Sequence, residues 1–322
     1  MKNQELLLIG GYMHSGTTLL HDILRSHDQI LQTRKETKIL EWSSEWQSKY
    51  IHQDKKLEYL KKYILNEKNL NEDFTPIHND VVKDFFEFLS YRAKKENCKY
   101  YLEGSPNNYL VLDKLPSDLN YKLILITRDP RDIIASVKKR IISKNFGNAS
   151  PLKGRLSNHY SFVLYLFSVR KSLKKMSGLM NRKNVFSTDY FVLTNDYRET
   201  IQDISKFLGL NAETFIDSKD VQTQNTADIN YKPEKALYFS SNFRKILNHR
   251  EISVIEYLFS EFFSERPYLK LTKKKFAKFW YFLYCLKIPY DLIMFLIARL
   301  IRFGSLKRFI SYFNTTLRRF KS

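Results

Sequence analysis

Leu6-Leu7-Leu8-Ile9-Gly10-Gly11-Tyr12-Met13-His14-Ser15-Gly16-Thr17-Thr18-Leu19-Leu20 decides the fold. A short apolar run, the length of a buried strand, passes through a glycine-bearing turn into a segment whose Leu19, Leu20, Ile23 and Leu24 have helical spacing. Strand, loop and helix in that order make a phosphate loop, with Gly11 and Gly16 at the two glycine positions of a Walker A motif. Thr17 stands where that motif has its lysine and Thr18 where it has its hydroxyl. The missing lysine is the group that reaches the β- and γ-phosphates. A loop without it holds a single anionic group through backbone N–H donors, hydroxyls and a helix N-terminus, which argues against ATP as the ligand.

Working outward, Ile30-Leu31 is a short strand, and Ile39, Leu40, Trp42 and Trp46 suggest a helix after Thr33-Arg34-Lys35-Glu36. Residues 45–98 are rich in Lys, Glu and Asn with helical periodicity, a helical insertion between strands. Tyr100-Tyr101-Leu102 is strand-like and stops at Glu103-Gly104-Ser105-Pro106. Lys122 to Thr127 is the clearest central strand, followed by a helix from Arg131 to about Lys139. Further helices are expected over Asn158 to Met176 and over Asp196 to Leu208, the latter closed by Gly209, with a strand from Val185 to Tyr190. Alternating strands and helices give an α/β fold, a P-loop-like parallel sheet flanked by helices. The expected organisation is one domain over residues 1–270 and a basic, amphipathic tail over 271–322.

The chain has 322 residues and a formal charge of +20, unevenly spread. From Lys270 to Ser322 there are 13 lysines and arginines against Asp291 alone, so this tail supplies +12 of the total. Cys98 and Cys285 have no metal-ligand or disulfide-framework spacing, and His52, His78 and His159 no ligand spacing either, so the expectation is no metal and a reducing, cytoplasmic setting. The N-terminus enters a strand at once, with no room for a secretory signal.

A second junction, Thr127-Arg128-Asp129-Pro130-Arg131-Asp132-Ile133-Ile134-Ala135-Ser136, places Arg128 at a strand's carboxyl end and Ser136 nearly two turns into the next helix, where both can meet one phosphate. Asp129 and Pro130 also suit an ordinary helix start. Together the two junctions resemble the 5′- and 3′-phosphate motifs of the PAPS-dependent sulfotransferases, nearest the Golgi-type tyrosylprotein and carbohydrate branch and its bacterial relatives. Asp189 to Leu210, ending in Phe207-Leu208-Gly209-Leu210, is similar to a later strand and helix of that family.

The resemblance implies that Ser15, Gly16, Thr17 and Thr18 hold the 5′-phosphate of 3′-phosphoadenosine-5′-phosphosulfate and that Arg128 and Ser136 hold its 3′-phosphate. Two departures stand out. His14 occupies the position of a family Arg or Lys, and Gly104 that of a lysine in a Lys-Thr-Pro or Lys-Ser-Pro segment. A protonated His14 would offset the charge that grows on the leaving phosphate; unprotonated, it is a donor. Lys35-Glu36-Thr37-Lys38 resembles the branch's Glu-Glu-Thr-Arg, which makes Glu36 the base for the acceptor hydroxyl. Thr33-Arg34-Lys35-Glu36 is equally a capping box in which Glu36 only ties a helix start. Glu103 is the reserve base, and His21 and His27 read as structural. Arg155, Lys232 and the faint family likeness at Ser240-Ser241 weigh less.

Phe276 to Phe303 is apolar and aromatic but interrupted by Lys278, Lys287, Pro289, Asp291 and Arg299, a poor transmembrane span. It reads as two interfacial segments broken at Pro289 with Trp280, Tyr281 and Tyr284 at headgroup depth, a pattern continued by Phe309, Phe313, Leu317 and Phe320. The alternative is a helical layer packed on the core. The expected activity is transfer from PAPS to a carbohydrate or glycolipid hydroxyl at an anionic, cytoplasmic membrane face, without nucleic-acid binding. The rivals are a nucleotide or sugar kinase with a degenerate P-loop, and an inactive nucleotide-binding protein.

Overall fold

The computed structural model describes residues 4–32, 36–67, 73–143, 160–215, 243–264, 268 and 276–303. Thr33, Lys35, Arg155, His159, Lys232, Ser240-Ser241 and the tail beyond Phe303 lie outside the described residues.

The first strand, β1 (Glu5–Gly10), is buried on both faces because its apolar run leaves no polar side. Leu6 and Leu8 enter one core cluster, Leu7 and Ile9 the other. Around it, β2 (Ile30–Gln32), β3 (Tyr100–Glu103), β4 (Tyr121–Thr127) and β5 (Val185–Asp189) complete a sheet of order β2-β3-β1-β4-β5. Every pairing is parallel. This order puts the loops after β1, β3 and β4 side by side at one sheet edge, where the strand order reverses and ligands bind in such folds.

Helix α1 (Thr17–Leu24) and the helix Tyr197–Leu208 cover one face through Leu20, Ile23, Leu24, Ile201, Ile204 and Leu208. The latter stops at Gly209, which adopts φ +63°, a left-handed geometry that favours glycine. The other face is covered by the insertion. Its helices are α2 (Ser43–Tyr50), α3 (Lys56–Tyr59) running into a π turn at Leu60–Ile64, and α4 (Val81–Lys95). Phe85, Phe86, Phe88 and Leu89 of α4 lie in the same cluster as Leu6 and Leu8, so the insertion is a layer of the fold rather than an excursion from it. Ile39 and Leu40 are buried in a turn before α2, one step short of the expected helix.

By internal contacts the chain divides into two compact units. One is Met1–Arg128 with Ser172–Phe239 and contains the whole sheet; the other is Asp129–Lys171 with Ser240–Ser322. In the second unit, α5 (Pro130–Ser143) starts with Asp129 accepting a hydrogen bond from the Arg131 backbone N–H at 2.8 Å, the helix start expected from Asp129-Pro130. The Arg131 side chain is buried. It donates to Asp129 at 2.6–3.1 Å and to Glu256 Oε1 at 2.6 Å, between the rings of Phe243 and Phe263.

Helices Ala277–Cys285 and Ile288–Phe303 belong to the same unit. They part at Leu286-Lys287, ahead of Pro289, whose missing N–H falls harmlessly in the second helix's first turn. No helix among the described residues is long and apolar enough to cross a membrane. One side of the pair packs inward: Trp280 lies 4.0 Å from the Arg250 guanidinium, Tyr284 touches Phe162 at 4.8 Å, and buried Asp291 accepts from Ser161 Oγ at 2.8 Å. The other side is apolar and open, with Phe276, Phe279, Phe282, Leu286, Tyr290 and Ile293 each more than half exposed.

Candidate active site

The glycine loop joins β1 to α1 at the sheet edge, tied down by a hydrogen bond from Gly11 N–H to Pro106 O at 2.9 Å. A β-carbon at Gly11 would lie 2.6 Å from Ser15 Oγ and 2.7 Å from Ile126 O, so the close turn requires glycine. Gly16 has φ +104° and would also place a β-carbon 2.3 Å from Tyr190. No side chain caps the N-terminus of α1, and no acid stands in its first turn. Ser15 Oγ is fully buried without a hydrogen-bond partner. An uncapped helix start and a buried hydroxyl without a protein partner fit a bound anion.

Arg128 reaches this loop. Its Nη1 donates to His14 O at 3.0 Å, and its guanidinium lies 4.4 Å over the Tyr190 ring. His14 itself is half-buried in a left-handed conformation, φ 70°, which turns its carbonyl toward Arg128. The two motifs therefore meet through one side chain. Ser15, Gly16, Thr17, Thr18, His14 and Arg128 are brought together in the first unit. Ser136 is half-buried on α5, in the second unit.

Glu36 is in no helix, since the next one begins at Ser43, so the capping-box reading is set aside. Its side chain is solvent-exposed, yet burial is the main influence raising its pKa. Lys38 and His21 pull the pKa down, while Glu103 and Glu41 push it further up. A solvent-exposed carboxyl with a raised pKa is the electrostatic pattern of a general base.

Glu103 is neither a solvated turn acid nor a free base. It is fully buried and accepts from Thr37 N–H at 3.2 Å, Thr37 Oγ1 at 2.9 Å, Ser105 N–H at 3.1 Å, Ser105 Oγ at 2.6 Å and Asn108 Nδ2. Ser105 Oγ also accepts from Lys38 N–H at 2.8 Å. Glu103 and Ser105 thus clamp the backbone immediately after Glu36. Sequence reading missed this clamp and Tyr190. The only signal for either was position, at the ends of β3 and β5.

Two acids at strand ends are engaged by the protein itself, Asp129 by Arg131 and Asp189 by Thr127 Oγ1 at 2.8 Å and Phe191 N–H at 2.9 Å. His78 does meet two acids despite its lack of ligand spacing: its cluster with Asp84 and Glu87 spans 4.8 Å. Asp84 there already accepts from Tyr50 OH at 2.5 Å and His78 N–H at 2.9 Å, and His78 pairs with Glu87 at 2.8 Å.

A model of the sulfotransferase family matches residues 7–214. No curated protein matches the chain. Among solved structures, the sulfotransferase domain from the Synechococcus PCC 7002 olefin synthase is similar with a TM-score of 0.51 at 17% identity, over 82% of this chain and 96% of that one. A mouse sulfotransferase complexed with PAP is more distant, with a TM-score of 0.38 at 16% identity over 88% and 90% of the two chains. At these identities the first likeness is one of fold.

Proposed function

The chain belongs to the sulfotransferase family, and from that premise we propose that it transfers a sulfuryl group from PAPS to a hydroxyl acceptor. The observation that carries this reading is the Arg128–His14 contact at 3.0 Å, which joins the two phosphate motifs in one place. Ser15, Gly16, Thr17 and Thr18 hold the donor's 5′-phosphate, and Arg128 its 3′-phosphate. The donor supplies the sulfuryl group and a phosphate leaving group. On the acceptor side, Glu36 accepts the hydroxyl proton, and the Glu103–Ser105 clamp fixes its approach. His14, on the loop beside the 5′-phosphate, donates to it. No residue in this scheme forms a covalent bond or calls for a metal.

Calorimetry tests the reading directly: adenosine 3′,5′-bisphosphate is expected to bind, and ATP with magnesium much more weakly. The reverse order would replace it with the kinase. Arg128→Ala is expected to weaken bisphosphate binding by about 2–4 kcal/mol, since the cation serves both the loop and the ligand. Unchanged affinity would take Arg128 out of the donor site.

The acceptor we infer is a carbohydrate or glycolipid hydroxyl presented at an anionic, cytoplasmic membrane face. The support is the open apolar side of the two tail helices, beside exposed Lys278 and Lys287 and with the tail's one acid, Asp291, buried. Phe279, Leu286 and Ile293, if buried among acyl chains, contribute about 1.5–3 kcal/mol each. Replacing all three by Glu is therefore expected to abolish cosedimentation with vesicles containing phosphatidylserine. Retention of the triple variant on those vesicles would return this face to protein packing.

A further inference from the structure

Asp84, in the first turn of α4, is a fully buried carboxylate with no cation paired to it among the described residues. Its partners are two neutral donors, Tyr50 OH at 2.5 Å on one oxygen and the His78 backbone N–H at 2.9 Å on the other. A buried charge in a protein is ordinarily paired with an opposite charge or bound to a metal. Lys56 reaches the same loop but donates elsewhere, to His78 O at 3.2 Å and to Asn79 Oδ1 at 2.5 Å. Each Asp84 oxygen keeps a second lone pair beyond the donor it already holds.

Two further ligand groups stand beside this carboxylate. Glu87 follows three residues later on the same side of α4, and His78 comes from the loop ahead of the helix. One ligand atom from each of the three lies within 4.8 Å of the other two. Two ligands on one zinc ion, at bond lengths of about 2.0–2.2 Å, lie at most about 4.4 Å apart, so the set has to close by about half an ångström. Glu87, whose side chain is 41% exposed, has room for that movement. His78 Nε2 and Glu87 Oε1 are already 2.8 Å apart, with a proton where an ion would sit. Residue 78 is also held on both sides, its N–H by Asp84 and its C=O by Lys56, so the imidazole is anchored independently of any ion.

We propose that His78, Asp84 and Glu87 bind one divalent transition-metal ion of the zinc type, with Tyr50 supporting the site from behind. The nitrogen ligand favours such an ion over magnesium or calcium, which take oxygen ligands. Two carboxylates with a neutral imidazole, the form that ligates, carry the charge that one divalent ion compensates. Burial, together with the Asp84 carboxylate, holds the Tyr50 phenol well above its ordinary range, so the hydroxyl keeps its proton and donates it to Asp84. That is the outer hydrogen bond that orients a ligating carboxylate. The ion ties the loop before α4 to the helix and, through Tyr50, to α2. It has no part in sulfuryl transfer, since none of its ligands belongs to the donor loop or the Glu36 segment.

Calorimetry on the full-length protein, first stripped with a chelator and then titrated with zinc chloride, tests the site without donor or acceptor present. One equivalent of zinc is expected to bind and to raise the melting temperature as its excess grows, whereas magnesium at the same concentration does neither. His78→Ala and Glu87→Gln are each expected to remove that equivalent. Tyr50→Phe should weaken it by about 10–100-fold, the range for an outer partner of a metal ligand, and His52→Ala, outside the cluster, should leave it intact. Glu87 is partly exposed, so Glu87→Gln reads the loss of a ligand in a folded protein even if changes at Asp84 disturb the core. A wild type without a one-equivalent zinc site, or a site that survives both His78→Ala and Glu87→Gln, overturns the proposal. Magnesium binding as tightly as zinc would overturn it as well, since a site of oxygen ligands alone has no need of His78.

Discussion

Glu36→Gln is expected to lower the rate of sulfuryl transfer by about 10²–10⁴-fold, the span that a positioned acid or base contributes, and to leave bisphosphate binding unchanged. The same substitution should make the protein more stable at neutral pH. Burial raises the folded-state pKa of Glu36 above its ordinary value, so the folded protein binds the proton more tightly than the unfolded chain. The stability this gives is fully present below the unfolded pKa and is lost as pH rises through the folded one. At pH 7 the wild type therefore carries an ionised group its surroundings disfavour, and glutamine, which resembles the protonated acid, does not. Melting curves should show the variant above wild type at pH 7 and level with it near pH 4, while transfer of labelled sulfate falls at both. Turnover comparable to wild type would remove Glu36 from the chemistry; a variant less stable at pH 7 would mean that its carboxylate is held by partners rather than disfavoured by its surroundings.

That trade explains which parts of the site could be read in the sequence. Gly11, Gly16 and Ser15 are legible because the geometry they impose is local: a close turn, a positive φ and a hydroxyl at a helix start depend on a few consecutive residues. The strands were legible for a similar reason, since an apolar run buried on both faces has few alternatives. Glu103 was misread because its five donors come from Thr37, Ser105 and Asn108, and the bonds to Thr37 span 66 residues of chain. The packing of His21 against the Gly104 turn was not visible, because only the pairing of β1 with β3 brings its helix there. The insertion read as a segment set between strands because its Lys, Glu and Asn content describes its solvent side, whereas Phe85, Phe86, Phe88 and Leu89 describe the side that closes the sheet. In each miss the composition of a segment was visible and its partner was not.

Arg131→Ala is expected to destabilise the protein by about 3–5 kcal/mol, the cost of removing one member of a buried ion cluster and leaving charge without compensation. Arg128 and Arg131 stand three residues apart in one motif, and nothing in their spacing says which of them meets a ligand. Arg131 is 1% exposed, with hydrogen bonds to Asp129 and Glu256 and an aromatic ring on either side. Burial by itself would lower the guanidinium's pKa, but the hydrogen bonds and charges of the two carboxylates outweigh it and raise the value instead. Those carboxylates are themselves buried, at 1% and 3% exposure, so the loss of Arg131 strands both. Neutralising the whole set, with Arg131→Met, Asp129→Asn and Glu256→Gln together, should recover most of the stability, because a set without charge has no desolvation penalty to offset. Urea unfolding monitored by tryptophan fluorescence measures both effects. A cost below about 1 kcal/mol for Arg131→Ala, the range of an exposed pair, would show that water reaches Asp129 and Glu256. It would also make Arg131, like Arg128, a candidate for meeting a ligand, since its engagement with those two acids is what reserves it for structure.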